Sequence, residues 1–176
     1  MGRFLIPVVA IVLFFAETEF SLFSPIEMQN HVIYLVPRFL ILFLIFFAIH
    51  YDRKKAMIYG LIFGLLYDII YIDIIGLYTV LYPVICFIAG STVKYIHQHL
   101  VVTSTVALLL IAVLEVVLYG FFVLIGVITD VTFTEFLNTR LIPTMIANII
   151  FVVLLGWVFK YLFEYRSFEK ANRSIL

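Results

Sequence analysis

The stretch YGLIFGLLYDIIYIDIIG, Tyr59 to Gly76, decides the fold because it sets an acid and two spaced glycines inside an apolar run. Gly60, Gly64 and Asp68 follow one another at intervals of four residues, so a helix of about 3.6 residues per turn brings them to one face. Small residues at this interval let two membrane helices approach closely, and the neighbouring helix would shield the carboxylate from lipid. The pattern therefore predicts a close-packed helix seam, with a substrate site as the alternative.

The composition around this stretch is that of an integral membrane protein. Of the 176 residues, 65% are hydrophobic and 12% are charged, whereas soluble domains are about 45–50% apolar. The chain has 11 basic and 11 acidic residues, so its zero net charge gives no support to a nucleic-acid partner. Cys86 is the single cysteine, which excludes an intramolecular disulfide and a cysteine-based metal cluster.

The apolar runs are long enough for several membrane helices, each of which needs about 17–25 residues. We predict an all-α integral membrane protein, a single polytopic domain of residues 1–176 built as a compact bundle of six transmembrane helices. The helices are expected at about 4–20, 33–50, 56–73, 75–95, 101–127 and 141–163, followed by a cytoplasmic tail at 164–176. No A-x-A-like cleavage site follows the first run, so we expect a retained helix rather than a signal peptide.

The basic residues orient these helices, because Lys and Arg concentrate in the short cytoplasmic loops of membrane proteins. If both termini are cytoplasmic, all but Arg38 and Arg140 of the 11 basic residues fall on the cytoplasmic side. The basic residues of the cytoplasmic loops are then Arg53, Lys54, Lys55 and Lys94. The distribution predicts six spans with both termini inside.

Arg38 is the candidate partner of Asp68. Each residue lies about five positions below the outer end of its predicted helix, which gives both a similar depth of about 7–8 Å. We therefore predict an ion pair or a water-bridged contact between them, in which each charge offsets the desolvation of the other. The alternative is that Arg38 extends to the outer membrane interface.

Glu115 lies near the middle of the fifth predicted helix, where Tyr119 and Asn148 are its candidate neighbours. An acid at this depth is consistent with proton or cation coupling, and equally with a protonated carboxyl group that holds an interhelical hydrogen bond. Pro83, inside the fourth predicted helix, removes an amide hydrogen and predicts a kink.

Catalytic patterns are missing from the sequence. It contains no Walker motif and no nucleophile paired with a base, and the polar residues within the apolar runs are few. The four histidines, His31, His50, His97 and His99, include no i, i+4 pair of the kind that binds metal. We predict a protein that is not an enzyme and that has no cofactor and no metal site.

Three segments carry a resemblance to a known family. They are GLIFGLLYDIIYIDIIGLYTVLYPVICFIAG (Gly60 to Gly90), PTMIAN (Pro143 to Asn148) and PRFLIL (Pro37 to Leu42). The first is similar to the Gly-rich third helix, the short turn and the Gly-terminated fourth helix of the MreD family of rod-shape-determining proteins. The other two are similar to that family's patterns in the last and second helices. With the length, the span count and the basic loop, the resemblance covers nearly the whole chain.

The resemblance implies a non-catalytic scaffold subunit of the bacterial cell-elongation machinery, located in the cytoplasmic membrane. Its implied partners are an MreC-like single-span protein, MreB filaments, and the peptidoglycan-building pair of a SEDS glycosyltransferase and a class B penicillin-binding protein. The residues implied in internal packing or in a partner groove are Gly60, Gly64, Asp68 and Gly76. Those implied in contacts with cytoplasmic partners or membrane lipids are Arg53, Lys54, Lys55 and Lys94.

The alternative function is the substrate-binding membrane subunit of an energy-coupling-factor vitamin transporter, whose six-helix fold the MreD family resembles. Those subunits commonly carry an Ala-x-x-x-Ala pattern in the first helix. In this chain Ala10 is followed four residues later by Phe14, which departs from that pattern. An ion or proton carrier that uses Asp68 and Glu115 is the third possibility.

Overall fold

A computed structural model describes residues 4–21, 24–28, 31–92 and 99–173, and these residues are predominantly helical. The helices are α1 (Leu5–Ser21), α2 (Phe39–His50), α3 (Arg53–Tyr67), α4 (Leu77–Thr92), α5 (Leu100–Leu124), α6 (Phe133–Phe136) and α7 (Ile142–Arg173). A π-helical turn, Asp68–Ile72, continues α3, and a second, Leu137–Leu141, joins α6 to α7. A short antiparallel hairpin pairs β1 (Ile26–Met28) with β2 (His31–Ile33).

Three of these helical segments are long and apolar enough to cross a membrane. They are Arg53–Ile72, Leu100–Leu124 and Phe133–Ser167, and α2 and α4 are shorter apolar helices. Large apolar side chains lie exposed along α3, α5 and α7, such as Ile62, Val113 and Val153. Exposed apolar surface on this scale is typical of helices whose solvent is lipid. The protein is therefore a predominantly helical membrane protein.

The second predicted helix, 33–50, is wrong in its first turns. Residue 33 belongs to β2, residues 34–38 are not helical, and α2 begins only at Phe39. Pro37 has no amide hydrogen and disfavours helical geometry in the residue before it. At about 1.5 Å per residue, the 12 residues of α2 span only about 18 Å, less than the thickness of a hydrocarbon core.

The last helix is longer than predicted, because α7 continues through Arg173 and takes in most of the tail expected at 164–176. The tail sequence EYRSFEKANRSIL contains no glycine or proline that would end a helix. An ion pair of 3.5 Å between Lys160 Nζ and Glu164 Oε1, one helical turn apart, adds local support.

The chain divides into two compact units, and α2, α5 and α7 each contribute residues to both. The first unit comprises Met1–Leu40 and Leu108–Phe151. Its aromatic core includes Phe39, whose ring stacks on that of Phe151 and meets that of Phe20 edge-on. This unit also holds the hairpin and most of the buried charges.

The second unit comprises Ile41–Ala107 and Val152–Leu176. Phe43 and Phe47 of α2 pack here against Phe159 and Phe163 of α7, with the Phe47 and Phe163 rings stacked. The same unit contains the α3 and α4 pair, which packs closely along its length. It therefore holds the helix face formed by Gly60, Gly64 and Asp68, which we call the glycine face.

Candidate functional site

Four charged side chains of the first unit form a continuous chain of ion pairs, which we call the charge chain: Glu17, Arg38, Glu115 and Arg140. Arg38 Nη1 lies 3.6 Å from Glu17 Oε1, and Arg38 Nε donates a hydrogen bond of 2.6 Å to Glu115 Oε1. Arg140 Nε donates to the other oxygen, Glu115 Oε2, at 3.1 Å. The charge chain thus connects α1, the segment before α2, α5 and the π-helical turn before α7.

Three of the four side chains of the charge chain are buried, and its formal charges are balanced. Glu17 and Arg38 are each 2% exposed and Glu115 is fully buried, whereas the side chain of Arg140 is 35% exposed. Two carboxylates and two guanidinium groups cancel in formal charge. An isolated ion would be expensive in this environment, but paired charges with hydrogen bonds offset each other's desolvation. Glu115 is therefore a carboxylate paired with two arginines, and its role in this arrangement is structural.

The non-helical segment Tyr34–Arg38 is the second polar feature of this unit. Backbone that is not helical needs outside partners for its amides, above all where water is excluded. Side chains of other elements supply acceptors for three of these amides: Ser24 Oγ for Leu35, Thr144 Oγ1 for Val36 and Asn148 Oδ1 for Arg38. The carbonyl of Thr139 accepts from the Tyr34 amide at 2.7 Å. Every backbone amide hydrogen of the segment is therefore bonded before α2 begins, since Pro37 has none.

Two polar residues, Glu17 and Asn148, form hydrogen bonds with the backbone around the start of α2. Glu17 Oε2 accepts from the Leu40 amide at 3.1 Å, in the first turn of the helix. Asn148 Nδ2 donates to the carbonyl of Thr144 at 2.7 Å and to that of Val36 at 3.4 Å. Because the first amides of a helix have no partner within it and carry partial positive charge, a carboxylate there is favourable. The buried Asn148 predicted from the sequence is thus a clamp on the segment before α2.

Asp68, in the second unit, binds the start of α4. Its carboxylate accepts hydrogen bonds from the amides of Gly76, Tyr78 and Thr79 at 2.8, 2.8 and 3.0 Å, and from Thr79 Oγ1 at 2.6 Å. It thus acts as a remote N-cap for α4 across the turn that follows the π-helical turn. Gly76 lies in that turn with a φ of 115°, a conformation that suits glycine, so it belongs to the turn and not to the glycine face.

Gly60 and Gly64 lie against the backbone of α4. A Cβ placed on Gly64 would meet the Tyr78 carbonyl and stand 2.9 Å from Thr79 Cα, and one on Gly60 would stand 3.1 Å from Pro83 N. The missing side chains therefore set how closely α3 approaches α4. The structure places this seam within the chain. Pro83 lies inside α4 at the same contact, and the kink predicted for it stays a prediction.

The basic residues at the start of α3 differ in exposure. Arg53 Nη1 donates to Ser91 Oγ at 3.0 Å, and its guanidinium lies over the Phe87 ring at 4.9 Å from the centroid. Arg53 is thus engaged with α4, whereas Lys54 and Lys55 are exposed. Lys94 lies outside the residues that the structure describes.

The structure corrects the partners predicted for Arg38 and Glu115. Arg38 pairs with Glu115 and Glu17, and Asp68 instead receives backbone amides and the Thr79 hydroxyl, so the predicted contact between Arg38 and Asp68 is wrong. Matching depths could not identify the partner because they say nothing about which helix faces are adjacent. The side chain of Arg38 is 2% exposed and is held by partners inside the first unit.

Glu17 and Arg140 are the site residues that sequence reasoning missed. The sequence places Glu17 seven residues after Ala10 and three after Phe14, and all three are buried, so one helix face carries them. That spacing was a usable signal for an inward-facing acid. Arg140 could have been identified from the predicted topology. It is one of two basic residues that this topology places on the outer side, where an arginine needs a reason to be present.

No group of three or more potential metal ligands occurs within the described part of the chain. His50 instead lies in a small polar cluster of the second unit, with its Nε2 at 3.2 Å from Thr103 Oγ1 and its Nδ1 at 3.9 Å from Glu164 Oε1. These contacts connect α2 with α5 and α7.

The comparisons with known proteins agree on one family. The chain matches the family described as rod shape-determining protein MreD over residues 2–165, a range that includes the whole charge chain and the glycine face. It is 37% identical over 177 residues to the rod shape-determining protein MreD of Bacillus subtilis (strain 168), with 99% of each chain covered. No solved structure matches the chain.

Proposed function

Because the chain belongs to the MreD family of rod-shape-determining membrane proteins, which are not enzymes, we propose that it is a scaffold subunit of the bacterial cell-elongation machinery. In this role it couples cytoplasmic cytoskeletal filaments to peptidoglycan synthesis without carrying out chemistry itself. The observation that carries the proposal is the match along nearly the entire chain to a family named for rod shape. The proposed location is the cytoplasmic membrane, which the chain crosses several times.

The contacts made by the buried polar groups support the scaffold role. Glu115 is held by two guanidinium groups, Asp68 caps α4 and Asn148 clamps the segment before α2. These contacts fix neighbouring segments of the same chain, whereas a transport subunit needs polar groups that converge on a substrate. A carboxylate shared between two arginines is also a poor proton carrier, because its protonation would leave two guanidinium groups with Glu17 as the remaining carboxylate of the charge chain. We therefore favour a protein whose function is to present surfaces.

The proposed topology has six spans with both termini in the cytoplasm. Arg38 and Arg140 are the basic residues that this topology leaves on the outer side, and both are paired with Glu115. Their charges are partly offset by this carboxylate, so these two arginines oppose the orientation set by the other basic residues less than unpaired arginines would. The exposed Lys54 and Lys55 at the start of α3 are then available to cytoplasmic partners or anionic lipid.

The proposed partners are an MreC-like single-span protein, MreB filaments, and a SEDS glycosyltransferase with its class B penicillin-binding protein. A single-span partner would pack on one of the exposed apolar helix faces, since its own membrane helix needs a matching surface. The described candidates are the faces marked by Ile62 on α3, Val113 on α5 and Val153 on α7, which are 49%, 54% and 75% exposed.

The test is affinity purification of the tagged full-length protein from its native membrane in a mild detergent, with mass spectrometry of the retained proteins. We expect an MreC-like protein and the wall-synthesis pair. Ile62→Trp, Val113→Trp and Val153→Trp serve as matched variants, because each adds bulk to one exposed face without touching the buried ion pairs. Loss of the partner from one variant and its retention by the other two would locate the partner surface.

Recovery of a coupling subunit with paired ATPases would overturn the scaffold proposal in favour of the vitamin-transport alternative. Recovery of none of the proposed partners by the wild-type protein, from cells in which all are present, would also count against it. The shared six-helix fold of energy-coupling-factor subunits stays a prediction.

A further inference from the structure

The first unit contains a pocket of about 500 Å³. Of the four residues of the charge chain, only Arg140 lines this pocket. Tyr34, Tyr119 and Phe136 give it aromatic walls, to which aliphatic side chains and Thr139 add, and the lining includes two charged residues, Glu135 and Arg140. The Tyr119 ring stacks on Phe136 at 4.3 Å between centroids. A cavity with this volume and this mixture of apolar wall and few charges is within the range of small-ligand sites, about 300–1,000 Å³.

Arg140 presents the cation of this pocket. Only its Nε is used by Glu115, and the two terminal Nη groups of its guanidinium bind no other group in the described part of the chain. Glu115 is shared with Arg38, so it does not fully offset the charge of Arg140. A guanidinium with free terminal N–H groups is suited to two hydrogen bonds with a phosphate. The pocket therefore offers an anion-binding site at Arg140, whose guanidinium group is held in place by the buried carboxylate of Glu115.

Glu135 presents the opposite charge in the same lining. Its backbone amide is capped by Thr132 Oγ1 at 3.3 Å, and its exposed carboxylate makes no ion pair among the described residues. An ammonium group fits between a carboxylate and aromatic rings, since both attract a cation. A ligand with a phosphate alone would satisfy Arg140 but would be repelled by Glu135.

We propose that this pocket binds the headgroup of a zwitterionic aminophospholipid, with the phosphate on Arg140 and the ammonium group beside Glu135. Tyrosine rings prefer the headgroup level of a membrane, which is where such a lipid presents both charges. Val32 and Val131, which also line the pocket, are each 40% exposed, so apolar surface on which an acyl chain can lie is directly beside it. The site extends the proposed scaffold function and does not depend on it.

The experiment is native mass spectrometry of the full-length protein in detergent, titrated separately with phosphatidylethanolamine, phosphatidylglycerol and soluble phosphoethanolamine. We expect phosphatidylethanolamine to be retained about tenfold better than phosphatidylglycerol, the scale of one charge-assisted contact. Weaker retention of phosphoethanolamine would identify the lipid rather than the free headgroup as the ligand. Equal retention of both lipids by the wild-type protein would overturn the proposal.

Three variants separate the parts of the site. Arg140→Gln is expected to lose retention of both lipids, and Glu135→Gln to lose the preference for the zwitterionic one. Val131→Trp fills the pocket from an exposed position and leaves the pair of Arg140 with Glu115 intact, so it tests occupancy even if Arg140→Gln fails to fold.

The matched controls are Asp130→Asn and Lys54→Gln, which remove exposed charges that do not line the pocket. Both are expected to retain phosphatidylethanolamine as the wild-type protein does. If Val131→Trp and Glu135→Gln also behave as the wild-type protein does, the lipid binds elsewhere and the assignment is wrong.

Discussion

Glu115 shows how a single acid can be tolerated in a membrane protein. It is fully buried, and each of its two oxygens accepts a hydrogen bond from a different arginine. Two cations around one carboxylate would leave a net positive charge, and Glu17 supplies the second carboxylate on the far side of Arg38. The charge chain is therefore a unit whose members depend on one another.

We predict that Glu115→Gln destabilises the protein more than Glu17→Gln does. The first change leaves two arginines without their shared carboxylate and is expected to cost about 3–5 kcal/mol, the range for breaking a buried ion pair. The second removes a longer contact of 3.6 Å and weakens the acceptor of the Leu40 amide, at a cost of about 1–3 kcal/mol. The measurement is unfolding in a detergent titration, followed by the fluorescence of Trp157, the single tryptophan.

Asp130→Asn is the control, because Asp130 is exposed and its neutralisation is expected to leave stability unchanged. Equal stability of Glu115→Gln and the wild-type protein would contradict the role given to the charge chain.

The residue types of this site were predictable and their pairing was not. Arg38, Asp68, Glu115 and Asn148 stand out because polar groups in apolar runs must find partners. Arg38 and Glu115 are 77 residues apart in the chain, and Arg38 and Asn148 are 110 apart. Which of several buried acids meets an arginine depends on how helix faces are turned, and a single sequence with little polar patterning does not contain that information.

At the scale of the element, α2 is unusual because it starts late and is buried on every side. All of its residues from Phe39 to His50 are buried, as expected for a helix that is apolar all round. Its sequence did not show where it begins, since FLILFLIFF follows LVPR with no conventional cap. Two of the acceptors that fix the segment before it come from α7, 108 and 110 residues away in sequence, and a third is Ser24, 11 residues before Leu35. The helix start is thus a tertiary property.

We predict that Asn148→Leu destabilises the start of α2. Leucine has a similar size but cannot accept from the Arg38 amide or donate to the Val36 carbonyl, and an unsatisfied buried group costs about 1–3 kcal/mol. Hydrogen exchange followed by mass spectrometry should show faster exchange in a peptide covering residues 34–42. Thr105→Val is the control, since its exposed hydroxyl binds only the Val101 carbonyl of its own helix. Unchanged exchange in that peptide would show that Asn148 is not the clamp.

The contact of α3 with α4 gives a graded prediction for glycine substitutions. Gly64→Ala would push a methyl group against the backbone of Tyr78 and Thr79, so α4 must move and stability falls by about 1–3 kcal/mol, the usual cost of overpacking. Gly60→Ala meets backbone at 3.1 Å and should cost less. Gly120→Ala has open space around it and should be neutral or slightly stabilising, because alanine favours helix.

Thermal stability by size-exclusion chromatography after heating ranks these three variants. The order expected is Gly120→Ala above Gly60→Ala above Gly64→Ala. If Gly64→Ala is as stable as Gly120→Ala, the close approach of the two helices is not as the structure has it. Here the sequence was informative, because the four-residue spacing predicted the close face, although it did not identify α4 as the neighbour.

At the scale of the whole molecule, the family and the membrane location could be predicted from the sequence, because the patterns that indicate them extend along the entire chain. The apolar runs matched the positions of most helices, since each run had to be long enough to bury its backbone in lipid. The proposed orientation is a separate matter, because it rests on the distribution of Lys and Arg and not on contacts. It gives opposite sides of the membrane to Lys54, in the first turn of α3, and Asp130, after α5, because the chain runs through α3, α4 and α5 between them.

This orientation predicts the side from which two introduced cysteines react. In a Cys86→Ala background, Asp130→Cys should react with a membrane-impermeant maleimide on intact spheroplasts, whereas Lys54→Cys should react only after permeabilisation. Both positions are exposed, and the native Cys86 is fully buried, so the background protein is the control for unspecific labelling. Labelling of both cysteines from the same side would require an even number of crossings between them. That result would rule out α3, α4 and α5 as three successive spans, and with them the six-span topology.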